Sequence, residues 1–434
     1  MAHKHPLRSS LLALAAALAA AAPAAAAPVT GFEQRNGASW TTHEEEVAFL
    51  EAVERGSRRV KVDRIGMTAE GRPLHLVRLG DKPPKQRDAL REPTVLFVCS
   101  QHGNEPAGRE ACLKLLRDLA FAEDPATLEL LATRSFLFVP AANPDGREAN
   151  TRGNSDGVDV NRDHLNLTTP EARAMAKVVR DWKPEVALDL HEYGPSIPGV
   201  YDDEVLYLWP RNLNIDDGVH DLAEELGRGY ILPDSEKAGY SADEYGQYEL
   251  ADNDIHQSAG DGDEGIMRNA MGLRHSLGVL VETAVTADPR NSPLELVDEA
   301  MVQRRRVDAH MNVTASVLRF IRERGAEAQG VTTGAAVRKA REGRERSAPV
   351  YFGGADNQEP APEDVVDPPP CGYRLTAEQV AEHRTVLQLL GIRSRKSGGG
   401  AFVPIGQAAE PVIPLLLDAR GTRHSAEAEP VTDC

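Results

Sequence analysis

The candidate chemistry of this chain begins with a histidine and a glutamate three residues apart. His102 and Glu105 closely follow a continuously apolar run, residues 95–98, which is typical of a strand buried on both faces. The histidine would then lie on the loop after the strand and the glutamate at the start of the next helix. A neutral imidazole and a carboxylate are suitable ligands for Zn²⁺. An H-x-x-E pattern is short, however, and alone it is more commonly a structural His–Glu pair.

Two further ionisable residues end apolar runs elsewhere in the sequence. His191 closes the run 186–190, and Glu282 closes the run 277–281. We expect His191 at the same sheet edge as His102, where it would be the third metal ligand. A carboxylate that ends a buried strand is paired or functional, and near a metal Glu282 could take a proton from water. The structural alternatives are a histidine bonded to a carbonyl group and a glutamate paired with an arginine.

A long polar segment between these runs carries three more candidates. The planar guanidinium of Arg162 can bind a carboxylate at two points, and Asn161 can add a donor beside it. Arg152 could stabilise the oxyanion that forms when water attacks a carbonyl group. Taken singly, each arginine is more commonly a solvated surface residue.

The surrounding elements predict the scaffold for these residues. Thr42 and Glu45 form a capping box before an amphipathic helix, and residues 60–65 and 74–79 predict an edge hairpin. Buried strands then alternate with helical stretches, and a long helix over 294–324 should end at Gly325. The alternation predicts an α/β fold, a doubly wound mixed sheet with helices on both faces, whose ligands gather at the carboxyl ends of the strands.

The composition of the sequence divides the chain into four predicted parts. Residues 1–27 have basic residues, an Ala/Leu run and a small-residue cleavage site, which indicate a cleaved signal peptide and a secreted protein rather than a membrane anchor. Residues 28–325 form the predicted catalytic domain. The Pro-, Gly- and charge-rich residues 326–370 predict a poorly ordered linker, and residues 371–434 a small C-terminal region of unknown role.

Charge and cysteine content narrow the partners and the compartment. The chain has 49 basic and 67 acidic residues, a formal charge of −18, which argues against nucleic acid or anionic lipid as the main partner. Its later segments contain no apolar stretch long enough to span a bilayer. The four cysteines, Cys99, Cys112, Cys371 and Cys434, could pair in three ways outside the cell, and none has the close spacing of a structural zinc site.

The ordered set of motifs resembles the zinc carboxypeptidase family, typified by the pancreatic carboxypeptidases, over most of residues 40–325. The resemblance rests on the H-x-x-E pair, an arginine nine residues before the Asn-Arg pair, a later histidine and the strand-end glutamate. It implies a doubly wound α/β fold, one Zn²⁺ per chain and release of C-terminal amino acids from peptides or proteins. It assigns zinc binding to His102, Glu105 and His191, and proton transfer to Glu282. The implied roles of the other residues are oxyanion stabilisation for Arg152 and anchoring of the terminal carboxylate for Asn161 and Arg162.

Several alternatives stay open at this point. The family's mobile tyrosine has three candidates in a polar loop, Tyr240, Tyr245 and Tyr248. Substrate preference has three candidate acids, Asp261, Asp263 and Glu264, which would favour basic side chains unless they are solvated loop residues. Two other functions also fit: a zinc amidohydrolase of the aspartoacylase and succinylglutamate desuccinylase type, and a peptide-binding module without catalysis. The sequence predicts no oligomeric state.

Overall fold

An eight-stranded mixed sheet forms the centre of the protein. The computed structural model describes residues 27–194, 203–251, 254–259, 261–286 and 298–434, and for residues 247–251 and 254–259 it describes the backbone. The sheet has the order β1-β2-β4-β3-β5-β10-β6-β7. The strands up to β10 are β1 (Val60–Met67), β2 (Pro73–Leu79), β3 (Thr94–Cys99), β4 (Ser135–Val139), β5 (Val186–Tyr193), β6 (Val205–Leu208), β7 (Ala242–Glu244), β8 (Gly246–Ala251), β9 (Asp254–Ala259) and β10 (Leu277–Ala284). Strands β8 and β9 pair with each other as a separate hairpin.

The middle of the sheet is parallel and completely buried. Strand β3 runs parallel to β4 and β5, and β10 runs parallel to β5. Every residue of β3, β5 and β10 is buried, because both faces of these strands are covered. The carboxyl ends of three strands therefore meet at one edge, and the antiparallel β1–β2 hairpin lies at the sheet margin as predicted.

Helices cover both faces of the sheet. The helices of the described residues are α1 (Gly31–Gln34), α2 (His43–Gly56), α3 (Gln86–Ala89), α4 (Ala107–Ala120), α5 (Pro125–Thr133), α6 (Pro144–Ala149), α7 (Pro170–Trp182), α8 (Asp217–Leu226), α9 (Leu232–Lys237), α10 (Met267–Leu273), α11 (Glu299–Glu345), α12 (Ala377–Leu389) and α13 (Val412–Leu417). A π-helical turn (Gly227–Ile231) links α8 to α9, and two short 3₁₀ turns occur at Val160–Arg162 and Pro362–Asp364. Thr42 caps α2 with the predicted capping box.

Alternate residues of the central strands pack into two separate cores. On β3, Val95 and Phe97 join a core with α2, α4 and α11, whereas Leu96 and Val98 join a core with α7 and α10. Successive side chains of a strand point to opposite faces, so this division gives the sheet its two helical layers. The predicted fold class, a doubly wound mixed sheet with helices on both faces, is confirmed.

The long helix continues beyond its predicted end. Helix α11 runs from Glu299 to Glu345, so the predicted end at Gly325 and the predicted disorder of residues 326–345 are wrong. Two glycines of this helix are packing sites rather than breaks. A Cβ on Gly325 would lie 2.7 Å from Arg134 Nε, and one on Gly343 would lie 2.7 Å from the carbonyl oxygen of Ile405. Close contact with neighbouring segments therefore accounts for glycine at these two positions.

The C-terminal region has a small sheet of its own. Strands β11 (Val350–Tyr351) and β12 (Val365–Val366) pair first, and a four-stranded sheet with the order β14-β15-β13-β16 follows. Its strands are β13 (Gly372–Leu375), β14 (Arg395–Ser397), β15 (Gly400–Pro404) and β16 (Glu429–Val431). Gly398 and Gly399 connect β14 to β15 at positive φ angles of 55° and 84°.

Two disulfides stabilise the described chain. One joins Cys99 at the end of β3 to Cys112 on α4, and the other joins Cys371 to Cys434. The first therefore ties the end of the strand that leads to His102 to the helix that follows Glu105. Residues 1–26, the bulk of the predicted signal peptide, lie outside the described residues. Among the helices that the structure describes, none combines the length and the apolar character needed to cross a bilayer.

Candidate metal centre and active site

Three candidate metal ligands converge at the carboxyl edge of the sheet. His102 follows β3, Glu105 precedes α4, and His191 lies on β5. His102 Nδ1 lies 2.8 Å from Glu105 Oε1, and His191 Nδ1 lies 2.9 Å from Glu105 Oε2. The two Nδ1 atoms are 3.0 Å apart, and all three side chains are buried. One ligand atom from each residue therefore lies within 4.8 Å of the other two, which fits a single cation.

The loop between the first two ligands is held by close backbone packing. A Cβ on Gly103 would lie 1.9 Å from the carbonyl carbon of Gly146 and 2.2 Å from the nitrogen of Arg147. Both contacts are to backbone of α6, which cannot move aside as a flexible side chain would. Asn143 caps α6 by accepting a hydrogen bond from Gly146 N–H and donates to the Gln101 carbonyl. Glycine at position 103 thus lets this loop hold His102 and Glu105 in place.

Each candidate histidine ligand has a carboxylate at its second ring nitrogen. His102 Nε2 lies 3.0 Å from Asp159 Oδ1, and His191 Nε2 lies 2.8 Å from Asp189 Oδ2. Such carboxylate–histidine pairs orient metal ligands and make them more basic. Neither aspartate was predicted as a functional residue. The position of Asp189 was a usable signal, because it lies two residues before His191 on the same face of a buried strand.

The electrostatics of the centre favour a cation. Although burial opposes ionisation, the imidazoles of His102 and His191 lower the pKa of Glu105 to about 2. Burial also disfavours the charged form of His191, but the Asp189 and Glu105 carboxylates raise its pKa well above the usual range. Burial likewise opposes ionisation of Asp159, yet His102 lowers its pKa. Carboxylates on both sides of the histidines therefore stabilise positive charge at the point where the ligand atoms meet.

The residues present fit a zinc ion. Two imidazoles and one carboxylate are the protein ligands of a well-known class of catalytic zinc sites, in which a further position stays open. Glu282 is the second indication. Its Oε2 is buried and has no hydrogen-bond partner within the described part of the chain. An unpartnered buried carboxylate oxygen is costly, so it marks a position where a ligand or reacting group would pair with it.

Strand register places Glu282 beside the ligands. Glu282 on β10 is directly opposite His191 on the parallel strand β5, so both side chains point to the same face. Burial, and then the nearby Glu105 carboxylate, raise the pKa of Glu282 to about 8. The predicted convergence of all four side chains is therefore present in the structure.

An open cavity of about 430 Å³ lies over the centre. His102, Glu105, Glu282 and two of the predicted arginines line it. Arg152 is half exposed; its Nε donates to Asp159 Oδ2 over 3.0 Å, and its Nη1 lies 3.6 Å from Glu105 Oε1. Its guanidinium is thus next to the ligands and also open to the cavity.

The Asn-Arg pair lies in the same cavity, but its two members have different surroundings. The Asn161 amide nitrogen lies 3.0 Å from His191 Nε2, and its oxygen accepts from Met267 N–H over 2.8 Å. The amide oxygen is therefore engaged within the protein, whereas the amide nitrogen lies beside His191 in the lining of the cavity. Arg162 is 39% exposed and donates through Nη1 to the Asn161 carbonyl. Its remaining donors can reach a substrate.

The structure shows where the candidate tyrosines and the candidate specificity acids lie relative to the cavity. Tyr245 lines the cavity, Tyr240 packs under the Arg305 guanidinium, and the side chain of Tyr248 lies outside the described residues. Of the three acids, Asp261 lines the cavity. Asp263 is paired with Arg423 and Glu264 is buried, so neither is a solvated loop acid.

Comparison with known proteins identifies the class. The family model for zinc carboxypeptidases matches residues 46–264, half of the chain. This region contains the three candidate ligands, Arg152 and the Asn-Arg pair, whereas Glu282 follows it. The chain belongs to the zinc carboxypeptidase family.

Individual relatives are similar over part of their length. Carboxypeptidase 2 of Trichophyton equinum is 35% identical over 189 residues, which cover 42% of this chain and 35% of that protein. Carboxypeptidase 2 of Trichophyton rubrum is 31% identical over 258 residues, covering 57% and 48% of the two chains. The chain thus spans about a third to a half of these relatives. A metallo-carboxypeptidase structure from Burkholderia cenocepacia, 20% identical, aligns over 65% of this chain and 69% of that one with a TM-score of 0.50, and supports the fold.

Proposed function

We propose that this protein is a secreted metallocarboxypeptidase that binds one Zn²⁺ and hydrolyses C-terminal amino acids from peptides or proteins. The observation that carries the proposal is the convergence of His102, Glu105 and His191 with the unpartnered carboxylate of Glu282 beside them. Membership of the zinc carboxypeptidase family supports the same reaction class. Secretion rests on the signal-peptide pattern of residues 1–27.

The metal and the base divide the chemistry between them. Zn²⁺, when bound, polarises the scissile carbonyl group and makes water a stronger nucleophile at neutral pH. Glu282 accepts the proton of the attacking water and then delivers it to the nitrogen of the leaving amino acid. A buried carboxylate whose Oε2 has no hydrogen-bond partner among the described residues suits this exchange, because no protein group competes for that oxygen.

The arginines of the cavity stabilise charge on the substrate. Arg152, next to Glu105 and open to the cavity, stabilises the negative charge that develops on the carbonyl oxygen. Arg162 binds the terminal carboxylate through the donors that it directs away from the Asn161 carbonyl. Asn161 adds its amide nitrogen as a further donor to the same carboxylate, because it lines the cavity next to Arg162.

The proposal is tested with purified, zinc-loaded protein and blocked dipeptides. We expect release of the C-terminal amino acid, loss of this activity on chelation and its return when zinc is added. We expect Glu282→Gln to lower kcat by at least about a hundredfold while zinc remains bound, since general acid–base catalysis contributes about 10²–10⁴-fold. Full activity of this variant would end the proposed mechanism.

A buried glutamate at the opposite end of the sheet gives the matched control. Glu185, just before β5, accepts a hydrogen bond from Thr94 N–H over 2.6 Å and is remote from the ligand edge. Glu185→Gln should retain wild-type kcat. N-acyl amino acids belong in the same assay, because their exclusive hydrolysis would favour an amidohydrolase of the aspartoacylase type. One bound zinc without hydrolysis of any substrate would indicate a binding module.

A further inference from the structure

A third arginine lines the active-site cavity and has no role in the proposed mechanism. Arg268 lies on α10, and its side chain is 3% exposed, compared with 50% for Arg152 and 39% for Arg162. Arginine is almost never fully buried unless it is paired, because removing its charge from water is costly. The surroundings of this guanidinium therefore decide what it does.

The described residues leave part of the Arg268 guanidinium without a partner. Its Nη2 donates to the main-chain oxygen of Asp261 over 3.0 Å and lies 3.5 Å from Asp261 Oδ1. Its Nε is buried and has no hydrogen-bond partner in the part of the chain that the structure describes. A guanidinium offers five donors in a planar fork that matches a carboxylate. A main-chain oxygen and a partly exposed carboxylate do not satisfy that fork.

The backbone fixes Arg268 on the same cavity wall as Glu282. The neighbouring Met267 N–H donates to Asn161, and a Cβ on Gly278 would lie 2.3 Å from the Arg268 carbonyl oxygen. Gly278 and Glu282 face the same side of β10, because alternate residues of a strand share a face. Glu282 on β10 and Arg268 on α10 therefore lie on the same side of the sheet, in the wall of one cavity.

We propose that Arg268 binds a carboxylate of the substrate inside the active-site cavity. The proposal rests on the proposed carboxypeptidase function and adds to it a buried guanidinium beside the exposed Arg162. The carboxylate is either the C-terminal α-carboxylate or the side chain of a terminal acidic residue, and both are anions that a planar fork can bind at two points. The cavity therefore selects negative charge, in contrast to the basic preference that Asp261, Asp263 and Glu264 suggested from sequence.

Four substrates distinguish the α-carboxylate from an acidic side chain as the group that Arg268 binds. They are three blocked dipeptides ending in Glu, Gln and Leu, and the C-terminal amide of the Leu peptide. In the zinc-loaded full chain, Arg268→Met removes the charge at similar volume, and Arg268→Lys keeps the charge without the planar fork. Arg274→Met is the matched control. Arg274 lies at the end of the same helix, donates to the Ala176 and Leu389 carbonyl groups and does not line this cavity.

A charge-assisted pair corresponds to about a ten- to hundredfold effect. If Arg268 binds an acidic side chain, Arg268→Met lowers kcat/KM by this factor for the Glu peptide and much less for the Gln and Leu peptides. If it binds the α-carboxylate, all three free acids lose this factor through KM, and the wild-type preference for acid over amide shrinks. Arg268→Lys should show the same pattern at smaller amplitude.

The proposal is overturned if Arg268→Met keeps kcat/KM within about twofold on all three free acids, or if Arg274→Met loses as much. It is also overturned, without any variant, if the wild type has the same kcat/KM for the Glu and Gln peptides and the same kcat/KM for the free acid and the amide of the Leu peptide. Calorimetric binding of N-acetyl-L-glutamate and N-acetyl-L-glutamine to wild type and variants separates this proposal from the proposed function. Selective binding of the glutamate that depends on Arg268 would support the carboxylate site even if no peptide were hydrolysed.

Discussion

Arg423, in the C-terminal region, should control substrate affinity although it lies outside the cavity. Its guanidinium pairs with both oxygens of Asp263, and its Nη1 donates to the Arg162 carbonyl over 3.2 Å. A Cβ on Gly265 would meet that carbonyl oxygen at 2.6 Å and Arg423 Cδ at 2.8 Å, so the three segments are tightly packed. The backbone that carries Arg162 is thus held from the C-terminal side.

The magnitude follows from the exposure of the pair. The Arg423 side chain is 31% exposed and that of Asp263 is 18% exposed. Breaking a buried pair from one side costs about 3–5 kcal/mol, and exposed pairs contribute up to about 1 kcal/mol, so we expect Arg423→Met to cost about 2 kcal/mol. The released Asp263 then attracts Arg162, whose Nε is already 4.0 Å away. A loss of about 1.4 kcal/mol in carboxylate binding raises KM about tenfold.

Steady-state kinetics and urea unfolding of the full chain measure the two effects. We expect KM for a free-acid peptide to rise about tenfold with kcat within about twofold, because the ligands and Glu282 are untouched. Arg420→Met is the control, since Arg420 pairs with Asp418 inside the C-terminal region and should affect stability alone. If Arg423→Met destabilises the protein but leaves KM at the wild-type value, Arg423 does not position Arg162.

Three further predictions concern stability and metal binding. Burial raises the pKa of Glu410 from 4.5 to about 7, so the folded state binds a proton that the unfolded state has lost. The contribution of Glu410 to the free energy of unfolding is therefore highest below pH 4.5 and is lost as the pH rises from 4.5 through 7. At about 1.4 kcal/mol per pH unit this loss is about 3 kcal/mol. In urea unfolding at pH 5 and 8.5, the free energy of unfolding of Glu410→Gln should depend less on pH than that of the wild type, and an equal pH dependence would contradict this. Gly103→Ala should weaken zinc binding, measured by competition with a chelating dye, because its Cβ would collide with the backbone of α6. Wild-type zinc affinity of this variant would argue against the role of the loop. At Gly330 a Cβ would meet nothing within 4 Å, so the control variant Gly330→Ala should stabilise α11 by about 0.5–1 kcal/mol. Adding zinc at about a hundred times its Kd should stabilise the metal-free protein by about 2.7 kcal/mol in thermal unfolding, and an unchanged melting temperature would speak against a native metal site.

The site could be predicted because its residues follow a local rule. Apolar runs of the length of a buried strand precede His102, His191 and Glu282, and strands of one parallel sheet end at one edge. Each run is recognisable without knowing its neighbours. The shared edge of the sheet therefore followed from three local patterns. Convergence on a single cation also required β3, β5 and β10 to be immediate neighbours, because adjacent strands are about 4.8 Å apart, and the local patterns do not specify that order.

The supporting residues could not be predicted because their roles depend on distant partners. Asp159 is 57 residues from His102, and Arg423 is 160 residues from Asp263. No local pattern specifies such pairs, since the same residue types occur more often as solvated surface groups. Arg268 differs, because its meaning comes from burial, and burial at the start of a short helix is set by the packing of α10 on β10. Spacing in the sequence contains no record of that contact.

The C-terminal region supports the active-site wall from outside the cavity. The sequence predicted a catalytic domain, a poorly ordered linker and a small C-terminal region of unknown role, but α11 runs without interruption from the catalytic half to the contact between Gly343 and Ile405. Arg423 then reaches back to the segments that carry Arg162 and Asp263. A rigid helix and a return contact fix the tail at both ends. Because the tail supports the arginine proposed to bind the substrate carboxylate but none of the proposed metal ligands, changes in it should alter substrate affinity and leave zinc affinity unchanged.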